Sequence, residues 1–180
     1  MQDNKNIYYA HQQVLGIGVD AMLYLIITSI MFIFVTIMVP KRLTKIEIYA
    51  STFSALYLQL VVDVYLHIKL NWYYYLTEHT IDWATMFVIP IFVGVNVLFL
   101  NYYPFGKSGS IQFSYITICI FFSMIYEYYS IQFGMMLFNE WKLWYSVLAY
   151  YFLFPLLALN LTWIRHLLEE HRVFNSSNHK

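Results

Sequence analysis

Apolar and polar positions fall in long blocks along this chain. From Ala21 to Val39, 19 consecutive residues carry no charge. At about 1.5 Å of rise per residue that run covers nearly all of the ~30 Å hydrocarbon layer of a bilayer. It stops at Pro40, where Lys41, Arg42 and Lys45 follow. The same reading along the chain predicts membrane helices over about 19–39, 47–67, 83–103, 111–134 and 143–164. The second must include its own acid, because only 15 uncharged residues separate Glu47 from Asp63 and a span needs roughly 20. The third holds Pro90 and Gly94 in its interior, so a kink is expected there. The fourth carries one charge, Glu127.

Aromatic turns separate these blocks, at 72–75, 101–110 and 139–142. Residues 1–18 lack the basic start and cleavage site of a secretory signal and read as a short outer tail. Beyond Ile164, Arg165 and Glu169 are spaced to pair on a helix that continues into water, and 175–180 is expected to be disordered. The expected fold is therefore all-α, an integral membrane bundle of five transmembrane helices over 19–164, with a cytoplasmic tail at 165–180. No internal repeat is visible.

Composition fits this picture. Of 180 residues, 61% are hydrophobic and 11% charged, too few charges to cover a water-soluble surface. The net charge of zero by itself says nothing about nucleic-acid or acidic partners; the lipid bilayer is the partner expected, and no nucleic acid. The single Cys119 lies within an apolar span and reads as a small buried thiol. Five spans put Lys5, Lys69 and Lys142 on one face and Lys41, Arg42, Lys45, Lys107, Arg165, Arg172 and Lys180 on the other. That imbalance predicts an outside amino terminus and a cytoplasmic carboxyl terminus.

Two polar stripes interrupt the apolar blocks. Gln59, Asp63 and His67 recur every four residues on the second helix, while Ser123, Glu127 and Ser130 share one face of the fourth. Both helices run in the same direction and both acids lie one to two turns from the outer end. The two stripes are expected to meet in a polar pocket in the outer half of the bundle. Carboxyls at that depth need a proton, a hydrogen-bond donor or a cation, and they mark functional positions by default.

Two classes of function follow. The first is a non-enzymatic transport, sensing or accessory component, acting alone, as a homo-oligomer or with a partner membrane subunit. The second is a membrane-embedded enzyme or metal protein using the same acids, with Asp63, His67 and Glu127, joined by His79 or Asp82, as metal ligands of unspecific spacing. The opposing structural reading makes the acids interhelical glue bonded to Ser123, Ser130, Gln59 or a tyrosine. No cofactor and no catalytic residue is predicted. Asn96 and Asn160 are expected to serve packing.

The segments Asp63-Val-Tyr-Leu-His-Ile-Lys69, Leu100-Asn-Tyr-Tyr-Pro-Phe105 and Asn139-Glu-Trp-Lys-Leu-Trp-Tyr-Ser146, together with the lone Glu127, give the chain a resemblance to a family. It resembles small, largely uncharacterised multi-pass membrane proteins of spore-forming Gram-positive bacteria over about 20–154. The resemblance implies a bacterial plasma membrane and brings no settled activity.

Overall fold

A computed structural model describes residues 3–76 and 86–177, with side chains over 18–76 and 86–171. Its elements are five helices, α1 (Asp3–Met38), α2 (Lys45–Asp63), α3 (Val88–Tyr102), α4 (Gly109–Gln132) and α5 (Leu143–Ser177), and two short strands, β1 (Tyr73–Tyr75) and β2 (Met136–Phe138). A π-helical segment, Val64–Lys69, prolongs α2. Four of the described helices are long and apolar enough to cross a membrane: Gly18–Met38, Lys45–Lys69, Gly109–Gln132 and Leu143–His171. The all-α class expected from the sequence is thus seen, with α3 a shorter apolar helix whose expected start at Trp83 lies outside the described residues.

Several boundaries differ from expectation for local reasons. The first helix begins at Asp3, inside the segment read as a tail, because neither Pro nor a charge run separates that segment from the span. The fifth remains helical to Ser177, so 175–177 is ordered helix; no Gly or Pro interrupts the chain after Pro155. Pro90 falls in the first turn of α3, where its missing N–H has no intrahelical acceptor to lose, so the expected kink has no cause there. Pro155 does lie inside α5.

The helices pack α1 on α3, α3 on α2 and α5, and α5 on α2 and α4. Two clusters form the interior. One, toward the 40–45 turn, contains Leu43, Phe99, Leu100, Ile116, Phe154 and Leu161; the other, toward the strands, contains Leu25, Tyr73, Tyr75, Val88, Ile91 and Met135. Outward positions such as Ile27, Phe34, Phe53, Phe121, Phe152 and Leu159 are exposed large hydrophobics. In water such a surface would drive association; against lipid chains it needs no cover.

Gly94 permits the α1–α3 contact. A Cβ there would meet Phe32 Cδ1 at 2.8 Å and Phe32 Cβ at 3.0 Å. The 40–45 turn is tied to the end of α3 by Asn101, whose Oδ1 accepts from Arg42 N at 2.6 Å and whose Nδ2 donates to Pro40 O at 3.0 Å. Thr44 and Glu47 then cap α2 reciprocally, Thr44 N to Glu47 Oε2 at 2.7 Å and Glu47 N to Thr44 Oγ1 at 3.3 Å.

At the opposite end, α4 stops in a glycine turn. Gly134 takes φ 72, its N–H reaches Ile131 O at 3.0 Å, and Met135 N reaches Ser130 O at 2.9 Å. These are the paired bonds of a Schellman motif, and they turn the chain straight into β2. There Tyr73, Tyr74 and Tyr75 pair antiparallel with Phe138, Leu137 and Met136. The aromatic turn expected as a loop at 72–75 therefore pairs with 136–138 in a two-stranded ribbon joining the ends of α2 and α4.

Candidate functional site: two hydroxyl-bound carboxyls and the cavity between α2, α3, α4 and α5

Glu127 is 3% exposed. Both of its oxygens are held by hydroxyls of α5: Ser146 donates to Oε1, and Tyr150 donates to Oε2 at 2.8 Å. Ser146 in turn accepts from Trp141 Nε1 at 2.8 Å. Residues 146 and 150 stand four apart, so one face of α5 presents both hydroxyls to the acid.

Asp63 ends α2 where the helix widens into the π segment. Tyr73 of β1 donates to Asp63 Oδ1 at 2.6 Å, and Gln59, one turn back, also bonds the acid. The π turns close with Leu70 N on Tyr65 O at 3.0 Å, and the chain then reverses through Asn71 at φ 50 to bring Tyr73 back over Asp63. His67 is 4% exposed and packs beside both ribbon tyrosines, its ring 6.2 Å from that of Tyr73 and 5.9 Å, edge-on, from that of Tyr75. It lies one turn beyond Asp63 and acts on it through space.

The two acids do not touch. The Tyr73 and Tyr75 hydroxyls are hydrogen-bonded to each other, and Tyr75 is an electrostatic neighbour of both Asp63 and Tyr150. Tyrosines from the ribbon and from α5 thus stand between the carboxyls. Burial, with the Asp63 carboxyl next, holds the Tyr73 and Tyr75 hydroxyls well above the usual tyrosine range, so they serve as proton-bearing donors at neutral pH.

A cavity of about 470 Å³ lies among the helices. Gln59 lines it from α2, Asn96 from α3, Ser123, Glu127 and Ser130 from α4, and Tyr150 from α5. Most of the remaining wall is apolar or aromatic, including Phe32, Phe99 and Phe154. The two stripes therefore share a cavity only in part. Gln59 and the α4 stripe face it, whereas Asp63 and His67 sit beyond it behind Tyr75, because the π segment and the ribbon carry them to the outer edge.

Of the partners that the interhelical reading offered the acids, tyrosine hydroxyls and Gln59 take the role and the two serines do not. Ser130 donates to Tyr126 O at 2.8 Å within its own helix, and Ser123 lines the cavity without a bond to Glu127. A proton shared between Asp63 and Glu127 is ruled out by their separate partners. Among the described residues no group of three His, Cys, Asp or Glu side chains is placed to hold a metal, so Asp63, His67 and Glu127 do not form a common ligand set; His79 and Asp82 lie outside the described residues. Asn96 and Asn160 do not pair, as Asn96 Nδ2 faces Thr52 Oγ1 at 3.5 Å.

Ser146, Tyr150, Tyr73 and Trp141 were not read from the sequence as site residues. The spacing of Ser146 and Tyr150 on an apolar helix carried the same signal as the stripes of α2 and α4. Fold and site together define an all-α protein with four helices long and apolar enough to cross a membrane, an internal cavity and two hydroxyl-bound carboxyls. No family model matches the chain, and comparison with curated proteins and with solved structures gives no match either.

Proposed function

We propose that the protein is a non-enzymatic sensing, transport or accessory component of a bacterial plasma membrane. In this reading it is a bundle of five spans with its amino terminus outside, and it acts by holding a small molecule in the cavity between α2, α3, α4 and α5. The cavity carries the proposal: about 470 Å³ is the size of a small-molecule site, and its wall is mostly apolar with a few polar groups, Glu127 among them. A carboxyl with both oxygens held by protein donors is fixed in place, as suits recognition. The excess of Lys and Arg on the 40–45 side supports the orientation.

The test is the load of the purified protein. Native mass spectrometry from mild detergent should find one small molecule per chain in the wild type and none in Ser123→Trp, which fills the cavity. An empty wild type, or equal loads in the two proteins, overturns the reading.

A further inference from the structure

The cavity is unbalanced in charge. Among the described residues Glu127 is the one acid in its lining, and no lysine, arginine or histidine lines it. The groups that hold Glu127, Ser146 and Tyr150, are neutral hydroxyls, so nothing in the wall supplies a counter-charge. A second acceptor stands in the same wall. Asn96 is 2% exposed, and its Oδ1 has no hydrogen-bond partner among the described residues. Buried acceptors of this kind are costly unless something donates to them.

Shape narrows the occupant. The lining runs from Val88 to Tyr102 on α3 and from Tyr115 to Ser130 on α4, about 20 Å along each helix. A lining that long and mostly apolar suits an extended hydrocarbon chain. Tyr126, Tyr150, Phe99 and Phe154 supply aromatic faces along it, which attract a cation as well as a hydrocarbon. Phe122 both lines the cavity and is 64% exposed, so the cavity opens there onto the outer surface of the helices.

We propose that the occupant is an amphiphilic cation bearing N–H donors, a long-chain alkylammonium, with its head at Glu127 and its chain along the aromatic wall. This rests on the cavity being a ligand site and adds the charge and shape of the ligand. Neutral alcohols of the same chain would satisfy the walls without pairing with the carboxylate form of Glu127; anionic amphiphiles would face the carboxyl.

Cys119 provides a local reporter, because it is the single cysteine and it lines the cavity. The rate of its alkylation by a membrane-permeant maleimide is measured in nanodiscs with added dodecylammonium or dodecanol. Dodecylammonium should slow labelling on the order of tenfold more than dodecanol does, and Glu127→Gln should erase that difference while dodecanol protection stays as in wild type. Equal protection by ammonium and alcohol in the wild type, a comparison that needs no variant to fold, overturns the cationic ligand and leaves the cavity as a binding site. Ammonium protection unchanged in Glu127→Gln does the same. If neither amphiphile protects Cys119, the ligand-holding reading falls as well.

Discussion

Arg165 Nε donates to Glu47 Oε1 at 2.6 Å, joining two residues 118 positions apart at the basic ends of α5 and α2. The glutamate side chain is 8% exposed and the arginine 34%, and the guanidinium also lies 4.4 Å from the centroid of Phe105. Pairing within α5, between Arg165 and Glu169, was the expectation; Arg165 turns instead to the buried acid, where the gain is greater. Arg165→Met should cost about 2 kcal/mol, less than for a fully buried pair because the arginine keeps part of its hydration. Thermal unfolding in detergent measures it. A melting temperature equal to wild type would show that the capping bonds of Thr44 suffice to hold Glu47.

Gly94 sets how closely α1 approaches α3. A methyl group there would press on Phe32 and lie 3.2 Å from Thr36 Oγ1. Gly94→Ala should destabilise the protein by about 1–3 kcal/mol, and Phe32→Ala in the same chain should return part of that loss. Additive losses in the double variant would place the strain elsewhere.

Ser146 serves two neighbours at once. Its removal in Ser146→Ala leaves Trp141 Nε1 and Glu127 Oε1 each short of a partner, a cost of about 1–3 kcal/mol. Tryptophan emission should shift as Trp141 loses its bond. Glu127→Gln tested beside it should keep the Trp141 bond and the wild-type spectrum; the same spectral shift in both variants would contradict the order of donors given above.

Tyr73 and Tyr75 make the folded state sensitive to alkali. Their folded pKa values lie above the ordinary 10.0, so the folded form keeps protons that the unfolded form releases. Stability is then unaffected below pH 10.0 and falls as pH rises beyond it. Tyrosinate absorbance should show these two rings titrating only with unfolding, and Tyr73→Phe should move the alkaline transition upward unless the lost bond to Asp63 lowers stability at neutral pH by as much. Ring titration ahead of unfolding would refute their burial.

The long apolar blocks were legible because a span must be continuous and uncharged over many residues, and α1, α2, α4 and α5 obey that. The capping box of α2 was legible too, in Thr44 followed three residues later by Glu47, though it was passed over. The ribbon was not. Strands of three residues give no period to read, and the pairing of Tyr73 with Phe138 is set by the glycine turn at Gly134 and the reversal at Asn71. The acids were found because charge in an apolar block stands out. Their partners were missed because hydroxyls of Ser146, Tyr150 and Tyr73 carry no such contrast, and because which faces of α4 and α5 meet depends on packing across the whole assembly.

The widened helical turn at Val64–Lys69 gives the spacing between residues 63 and 73 a chemical meaning. A segment with a residue to spare can lose it and close up as ordinary α-helix, keeping the span intact while swinging the tyrosine off the aspartate. A chain one residue shorter between those two positions would therefore hold its tyrosine away from the aspartate.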